Sequence, residues 1–333
     1  MCDPCYTYKD GIITSFFPSW HAKGPVVFMQ HFLEMATWST ADIQHLLKLA
    51  VHLKMEWQSG GNRPVLKNKV LGMIFQKPSL RTRVSFEVAM KHLGGDAIML
   101  GPEEIGLGKR ESISDIARVL SGYVHGIMAR VYAHESIEEM AKWARVPVIN
   151  GLSDDYHPCQ SMADILTIYE FFGRVQGLKI AYIGDGNNVA ASLLEAASHF
   201  GANFAMATPE GYELPEPMRK RAEPLVRRSG IHLEMHTHPQ LAVKDAHVIY
   251  TDTWTSMGRE HEADERRRIF APFQVNSDLV ALARPDCIVM HCLPAHRGEE
   301  ITDEVADGDH SAIFQQAENR LHAQKAILVK LLA

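Results

Sequence analysis

The first stretch of this chain that could do chemistry places two arginines and two hydroxyl residues within five positions: Ser79, Leu80, Arg81, Thr82 and Arg83. The apolar run 70–75 before it predicts a buried strand, and the apolar spacing after it predicts an amphipathic helix that begins at Ser79. The first turn of a helix favours anions because its backbone N–H groups point outward. Guanidinium groups and hydroxyls there predict a phosphate site. The alternative, a capped helix with solvated arginines, is disfavoured because cations oppose the helix dipole at this end.

Polar side chains follow several other predicted strands, at the ends where parallel sheets bind ligands. They are His157 and Gln160, Asn187 and Asn188, the stretch 252–257, and Cys292. A single cleft between two α/β domains would bring them all to the phosphate site. We therefore expect one cleft that holds the anion and a second ligand.

Two of these positions leave alternatives open. His157 and Gln160 lie three residues apart at the start of a predicted helix, so both could contact one carbonyl group. A lone histidine is more often a packed or capping residue. Cys292, next to His291, is either a thiol nucleophile activated by histidine or a buried structural cysteine.

Other site classes are disfavoured by missing residues. Gly184 and Gly186 follow a strand, but the third glycine of a dinucleotide-binding loop is absent, and a side-chain amide directed at a ligand is favoured instead. No Walker A sequence occurs, which disfavours an NTPase. The 18 histidines lack an H-E-x-x-H arrangement, so no metal site is predicted. Cys2 and Cys5 form a lone C-x-x-C, which we assign to a frayed terminus over a metal or redox site.

The composition is that of a soluble globular protein, with 46% hydrophobic and 22% charged residues. The net charge of −6 argues against a nucleic-acid partner, and no apolar run is long enough to span a membrane. Five cysteines without a regular framework, together with a first segment that lacks secretory features, predict a cytoplasmic protein. A length of 333 residues predicts two domains.

Strand and helix patterns alternate in two series, before and after a helix predicted over 162–172. This alternation predicts an α/β fold with two Rossmann-like domains, each a parallel sheet flanked by helices, linked by helices. We also expect a glycine-rich loop over 101–110, a loop over 252–260 and a last helix over 318–332. Aromatic and apolar residues within 1–36 indicate a segment packed on the body or on a neighbouring subunit.

Together, four stretches resemble the signatures of the aspartate/ornithine carbamoyltransferase family. They are residues 79–83, 157–160, 252–258 and 291–294, and the last two, with 184–188, resemble the ornithine-specific members. The similarity covers about residues 37–333, including 317–320. It implies a carbamoyl-phosphate-binding domain formed by 37–160 and 312–333, and an ornithine-binding domain formed by 161–311. Residues 1–36 are left as an N-terminal extension of unknown role.

The resemblance implies transfer of a carbamoyl group from carbamoyl phosphate to the side-chain amine of L-ornithine, which gives citrulline and phosphate. It also implies a homotrimer or a multiple of trimers, no metal, and no organic cofactor. The residues implied for carbamoyl phosphate are Ser79, Leu80, Arg81, Thr82, Arg130, His157, Gln160, Cys292, Leu293 and Arg320. Those implied for ornithine are Asn188, Asp252, Ser256 and Met257, and those for catalysis are Arg81, Arg130, His157 and Cys292.

The implied chemistry is direct attack of a neutral amine on the carbonyl group. Arg130, Thr82 and His157 would stabilise the developing oxyanion. Cys292 would act by polar contact near Asp252 and not as a covalent nucleophile.

Two positions depart from the family pattern. Leu80 stands where the family commonly has a second threonine, so one hydroxyl contact to the phosphate is missing. Gly106 stands where some members place a glutamine that reaches the neighbouring subunit's carbamoyl phosphate. Both change the expected phosphate contacts but leave Arg81, Arg130 and His157 in place.

Other acceptors define the rival functions. Aspartate carbamoyltransferases share the phosphate half but lack the patterns at 256–258 and 291–294, and putrescine would not need groups for an amino-acid head. Acetylated or succinylated ornithine would call for a different loop over 252–258. A non-catalytic ornithine- or phosphate-binding protein and a nucleotide-binding dehydrogenase are the alternatives from other classes.

Overall fold

This computed structural model describes residues 30–108, 110–255, 258 and 260–333. The strands in this part of the chain are parallel to their neighbours. The strands are β1 (Val70–Phe75), β2 (Asp96–Leu100), β3 (Gly126–Arg130), β4 (Val148–Leu152), β5 (Lys179–Ile183), β6 (Asn203–Ala207), β7 (Leu233–His236), β8 (Val248–Thr251) and β9 (Ile288–His291). They form one sheet of order β2-β1-β3-β4 and a second of order β7-β6-β5-β8-β9.

Helices connect the strands and cover both sheets. In chain order they are α1 (Thr40–Gln58), α2 (Leu80–His92), α3 (Pro102–Ile105), α4 (Ile113–Leu120), α5 (His134–Trp143), α6 (Pro158–Phe172), α7 (Asn188–Phe200), α8 (Glu216–Ser229), α9 (Pro239–Val243), α10 (Ala263–Phe270), α11 (Ser277–Val280), α12 (Asp303–Ala306) and α13 (Ile313–Leu332). The predicted fold class, two parallel sheets flanked by helices, is confirmed.

The burial of each strand follows its place in its sheet. The central strands β1, β3, β5 and β8 are apolar runs that are almost completely buried, as expected when helices cover both faces. The edge strands β2 and β7 are more exposed and carry charged residues, which protect an open sheet edge from pairing with another chain.

Strand order reverses once in each sheet, between β1 and β3 and between β5 and β8. At the carboxyl ends of these strands, Phe75 pairs with Arg130 and Ile183 pairs with Thr251. Connections leave such a reversal in opposite directions and open a crevice, which is where ligands bind in open parallel sheets.

Two long helices join the sheets. Helix α6 is buried from Pro158 to Ile168 and packs against both β4 and α7. Helix α13 packs against α6, α1 and α2, so the end of the chain returns to the first sheet. This return carries Arg320 to the loops that follow the first sheet's strands.

The described residues differ from the expectations at several elements. Helix α6 begins at Pro158, before the expected start at 162, and α10 was not expected. The loop expected over 101–110 contains α3, because Pro102 suits a first helical position and the Glu104 carboxylate accepts a hydrogen bond from Gly101 N at 2.7 Å. Helix α13 begins at Ile313, before the expected start at 318. The short helices α9, α11 and α12 were not expected, since four or five residues are too few to produce a clear period.

None of the helices in the described ranges has the length and apolarity needed to cross a bilayer. The apolar and aromatic residues expected to pack within 1–29, and the Cys2–Cys5 pair, lie outside the described residues. Among residues 30–36, Phe32 is fully buried and exchanges backbone hydrogen bonds with Val148 and Asn150 beside β4.

Candidate active site

A cleft of about 1570 Å³ lies at the carboxyl ends of strands from both sheets. The residues predicted for the site that line this cleft are Ser79, Leu80, Arg81, Arg130, His157, Asn188, Asp252, Cys292, Leu293 and Arg320. Thr82 and Gln160 are fully buried. The predicted single cleft between two α/β units is therefore present, with one wall from each sheet.

One wall begins at the N-terminus of α2. Ser79 is the N-cap residue, and its hydroxyl accepts a hydrogen bond from Thr82 N at 3.3 Å. Arg81 lies on the first turn and lines the cleft, whereas Arg83 is half-exposed and pairs with Glu87 on the same helix at 3.6 Å. The exposed amide ends of this turn and the Arg81 guanidinium make an anion-binding corner.

Three elements converge on the Thr82 hydroxyl. The guanidinium of Arg320 on α13 donates to Thr82 Oγ1 at 2.8 Å, and that of Arg130 at the end of β3 donates at 3.4 Å. Both arginines are buried, and within the described residues the Nε atom of each has no hydrogen-bond partner. Buried donors without acceptors are unusual in proteins, so these groups point to an acceptor-rich ligand.

The electrostatics of this corner also favour an anion. Burial, reinforced by the nearby Arg320 and Arg81 guanidiniums, lowers the pKa of Arg130 to about 10. Burial likewise lowers the pKa of Arg320. Like charges held together away from water are stabilised when a phosphate group neutralises them.

His157 is the N-cap of α6 and lines the cleft. Its backbone N–H donates to Ser192 Oγ at 2.8 Å, and its Nδ1 has no partner among the described residues. Burial, followed by the charges of Arg320 and Arg130, lowers the imidazole pKa well below its ordinary value. The ring is therefore neutral at physiological pH and can donate from one nitrogen only.

Gln160 lies one turn further into α6. Its Nε2 donates to Asp164 Oδ1 at 2.9 Å, and its Oε1 is buried without a partner in the described part of the chain. Burial raises the pKa of the Asp164 carboxyl to about 7. Gln160 thus offers a hydrogen-bond acceptor, whereas the arginines offer donors.

The opposite wall is built around Asp252, which follows β8. Its Oδ1 accepts a hydrogen bond from the Cys292 thiol at 3.0 Å, and its Oδ2 accepts from Asn187 Nδ2 at 2.8 Å. Burial and the neighbouring Asp252 carboxylate raise the pKa of Cys292 well above its ordinary value. The thiol stays protonated, which favours a polar contact over a covalent nucleophile.

The asparagines of the loop after β5 divide two tasks. Asn187 caps α7 through its Oδ1 and also holds Asp252. Asn188 Nδ2 donates to the Ser153 carbonyl at 2.6 Å, which ties α7 to the loop after β4. Sequence reasoning selected Asn188 and missed Asn187 as the direct partner of Asp252, although its N-cap position was the available signal.

Two ion pairs in the cleft walls were also missed, of which the first is buried and the second has an exposed carboxylate. Arg266 donates to Asp185 Oδ2 at 2.8 Å and to the Trp254 carbonyl at 2.7 Å, which joins the loops that follow β5 and β8. Lys77 pairs with Asp154 at 2.5 Å. No sequence pattern distinguishes these charged residues from exposed ones.

Four predicted positions remain, of which Leu80 and Leu293 line the cleft. Ser256 and Met257 lie outside the described residues. The Leu80 side chain is 75% exposed, so at this position only the backbone can face an anion bound by α2. Leu293 has a φ of 58°, a left-handed conformation that is unusual for leucine and marks a constrained turn beside Cys292.

Two groups of potential metal donors in the described residues lie at the cleft wall. Single atoms of Asp252, His291 and Cys292 come within 4.8 Å of one another, and so do single atoms of His296, Glu299 and Glu300. Both ring nitrogens of His291 are already engaged: one contacts Glu300 at 3.0 Å and the other accepts from Leu293 N at 2.8 Å. The imidazole therefore serves to hold the turn at 292–294.

Comparison with known proteins adds to this geometry. The family model described as "Aspartate/ornithine carbamoyltransferase, carbamoyl-P binding domain" matches residues 30–170, and "Aspartate/ornithine carbamoyltransferase, Asp/Orn binding domain" matches 176–331. The ornithine carbamoyltransferase of Anoxybacillus flavithermus is 55% identical over 301 residues, covering 90% of this chain and 96% of the relative. That of Pyrococcus abyssi is 57% identical over 291 residues, covering 87% and 92%.

Among solved structures, ornithine carbamoyltransferase from Pyrococcus furiosus superposes with a TM-score of 0.88 at 54% identity. The match covers 91% of this chain and 97% of that one. The resemblance seen in the four sequence stretches is confirmed. The chain belongs to the aspartate/ornithine carbamoyltransferase family.

Proposed function

We infer that the chain is an ornithine carbamoyltransferase, which transfers the carbamoyl group of carbamoyl phosphate to the side-chain amine of L-ornithine. The products are citrulline and phosphate. The observation that carries this inference is the pairing of two unlike walls in one cleft, the Arg81–Arg130–Arg320 corner opposite the Asp252–Cys292 pair. The first suits a phosphorylated carbonyl compound and the second suits an amino acid.

The phosphate of carbamoyl phosphate binds at the first turn of α2. Ser79, Arg81 and Thr82 supply hydroxyl, guanidinium and backbone N–H donors, and Leu80 supplies its backbone N–H only. Arg320 completes the corner from α13. The missing threonine hydroxyl at position 80 leaves fewer side-chain contacts than the family pattern provides.

The carbamoyl group lies between the phosphate corner and α6. The carbonyl oxygen accepts hydrogen bonds from Arg130, Thr82 and His157, and the amide donates to Gln160. As the amine attacks, negative charge grows on the carbonyl oxygen, and these fixed donors stabilise it. Loss of one such donor costs about 3–4 kcal/mol of transition-state stabilisation in other acyl-transfer enzymes.

Ornithine binds against the second wall. Asp252 and Asn188 hold its α-amino and carboxylate groups together with Ser256 and Met257, while Cys292 and Leu293 lie beside the reacting carbon and amine. The amine of ornithine has an ordinary pKa near 10.4 by analogy with lysine, so the uncharged form must be selected or generated. Attack forms the new C–N bond, the C–O bond to phosphate breaks, and the amine nitrogen gives up one proton to the departing phosphate, which leaves within the arginine corner.

We propose the predicted domain division, in which 37–160 with 312–333 binds carbamoyl phosphate, 161–311 binds ornithine, and 1–36 is an extension. The packing of α13 on α1, α2 and α6 supports it. A homotrimer or a multiple of trimers acting in the cytoplasm, without metal or organic cofactor, completes the proposal. Subunit contacts could use the apolar surface of three exposed side chains, Leu80 and Val84 on α2 and Ile98 on β2.

Product analysis tests the proposed function. Purified protein given carbamoyl phosphate is expected to make citrulline from ornithine and little product from aspartate, putrescine or acetylornithine. N-carbamoyl-aspartate, N-carbamoyl-putrescine or acetylcitrulline as the main product would overturn the choice of acceptor. Binding of both ligands without any product would favour a non-catalytic binding protein.

A further inference from the structure

A continuous row of buried hydrogen bonds connects the Cys292 turn with Gln160. The His291 backbone N–H donates to Gln316 Oε1 at 2.8 Å, and Gln316 Nε2 donates to Asp164 Oδ1 at 2.8 Å. Gln160 Nε2 donates to the same Asp164 oxygen at 2.9 Å. The side chains of Gln316, Asp164 and Gln160 are all inaccessible to solvent.

The polarity of this row is set at one end. A backbone N–H is only a donor, so the carboxamide of Gln316 must turn its oxygen to His291 and its NH₂ group to Asp164. Asp164 Oδ1 is then an acceptor for two NH₂ groups. With Asp164 ionised, as it is above its pKa of about 7, a reversed Gln160 carboxamide would place two acceptor oxygens face to face at 2.9 Å.

This row of hydrogen bonds fixes the orientation of the Gln160 side chain. Because Nε2 donates to Asp164, Oε1 is the other end of the carboxamide, and Gln160 lies one turn from His157, which lines the cleft. This oxygen is buried and has no partner among the described residues. It is therefore an acceptor prepared for a ligand that brings an N–H donor.

We propose that Asp164 and Gln316 are positioning residues that fix the Gln160 carboxamide with its oxygen towards the cleft, and so select carbamoyl phosphate over acyl phosphates that lack an amide. This rests on the proposed function. The amide NH₂ of carbamoyl phosphate satisfies Gln160 Oε1, whereas the methyl group of acetyl phosphate leaves it buried and unpaired. Sites built to bond a substrate N–H discriminate strongly against analogues without one.

The readout is the ratio of the acetyl phosphate inhibition constant to the carbamoyl phosphate KM. We expect a ratio of about 10 or more in the wild type, since an unpaired buried acceptor is costly. Asp164→Leu removes the shared acceptor, and its ratio should fall to within about threefold of unity. Inhibition by inorganic phosphate, which has no amide and no methyl group, should change little in the same variant.

The hydrogen-bond relay from Gln316 through Asp164 to Gln160 makes a distinctive prediction for milder substitutions. Asp164→Asn keeps an acceptor oxygen, which Gln316 still orients, so its ratio should stay within about twofold of the wild type. Gln316→Met removes the residue that sets the polarity but leaves the Asp164 carboxyl, which only accepts when it is ionised. Its ratio should therefore also be kept when measured at a pH above the carboxyl pKa of about 7. The double variant Asp164→Asn/Gln316→Met loses both constraints and should lose the discrimination that each single variant retains.

These outcomes decide the proposal even if Asp164→Leu does not fold. A double variant that keeps the wild-type ratio, or an Asp164→Asn single variant that loses it, would overturn the relay. A general packing role would weaken phosphate, acetyl phosphate and carbamoyl phosphate together and leave the ratio unchanged. Failure of the wild type to make citrulline would instead overturn the proposed function, so the two failures are distinguishable.

Discussion

The two walls of the cleft meet their hydrogen-bonding needs in different ways. In the arginine wall, Nε atoms of Arg130 and Arg320 are buried without partners among the described residues. In the opposite wall, both oxygens of Asp252 already accept hydrogen bonds, from Cys292 and Asn187. The first wall is prepared for an anion as it stands, whereas the second must exchange internal bonds for bonds to its ligand.

This contrast has an energetic basis. The arginine wall concentrates positive charge away from water, which lowers the pKa of Arg130 to about 10 and is relieved only by an anion. The second wall is stable without its ligand. We therefore expect carbamoyl phosphate to bind in the absence of ornithine, and substitutions in the two walls to affect the two substrates separately.

The largest effect is expected for Arg81→Ala. Loss of this guanidinium from the phosphate corner should lower kcat/KM for carbamoyl phosphate by about 10³-fold, the scale of a lost charge-assisted contact in the transition state. Subunit assembly should be unchanged by size-exclusion chromatography.

The matched control is Arg83→Ala, from the same helical turn. Arg83 is half-exposed and pairs with Glu87, so its loss should change kcat/KM by less than about threefold. Similar losses for both variants, or near-normal activity of Arg81→Ala, would contradict the phosphate-corner assignment.

Arg266→Met tests the support of the second wall. The variant removes the Arg266 guanidinium from the buried Asp185 carboxylate and from the Trp254 carbonyl, so the loops after β5 and β8 lose this link. The ornithine KM should rise by about 10²-fold while carbamoyl phosphate binding is retained, measured by steady-state kinetics and calorimetry. Arg268→Ala, an exposed neighbour on α10 that is not among the cleft-lining residues, should stay within about threefold of the wild type for both substrates.

Cys292→Ser should have a smaller effect on the same wall. A serine hydroxyl can still donate to Asp252, but the serine side chain is shorter than that of cysteine and its hydroxyl is more strongly hydrated. The kcat/KM for ornithine should therefore fall by about tenfold. Cys287→Ser is the control, because Cys287 is also buried but lies beside His310 away from the cleft. An unchanged rate and ornithine affinity in Cys292→Ser would make Cys292 a packing residue.

The smallest effect concerns the contact between α7 and the segment that precedes α1. Glu195 on α7 accepts from Met35 N and Ala36 N, and burial beside Glu34 raises its pKa to about 8. Because the folded-state pKa lies above the unfolded value near 4.3, the folded protein binds more protons, and stability falls as pH rises between about 4.3 and 8.

Glu195→Gln removes this titration. Its melting temperature should depend less on pH over that range than that of the wild type, with activity nearly unchanged. Thermal unfolding at several pH values measures it, and an equal slope in both proteins would contradict the assignment.

The sequence anticipated the arginine wall better than the opposite one. Residues 70–92 carry clear strand and helix periods, so the place of Ser79 and Arg81 at a helix start was predictable. The second wall depends on which side chain of a loop meets another, and this is set by packing. The hydrogen bond from Asn187 to Asp252, which the sequence did not predict, is one result.

Buried polar residues were the second feature of the site that the sequence did not predict. Asp164 lies in the stretch 162–168, which looks like an apolar helix, and a single carboxylate there gives no sign of its partners. Gln316 is distant in sequence, and its contact with Asp164 exists only because α13 returns to α6. Long-range returns of this kind leave no local pattern.

Calorimetric titration of carbamoyl phosphate into the Asp252→Asn variant, without ornithine, tests the two-wall account most directly. We predict a dissociation constant within about twofold of the wild type, because Asp252 belongs to the other wall, together with a loss of citrulline formation of about 10²-fold or more. Carbamoyl phosphate binding that is lost along with turnover would contradict the separation of the walls.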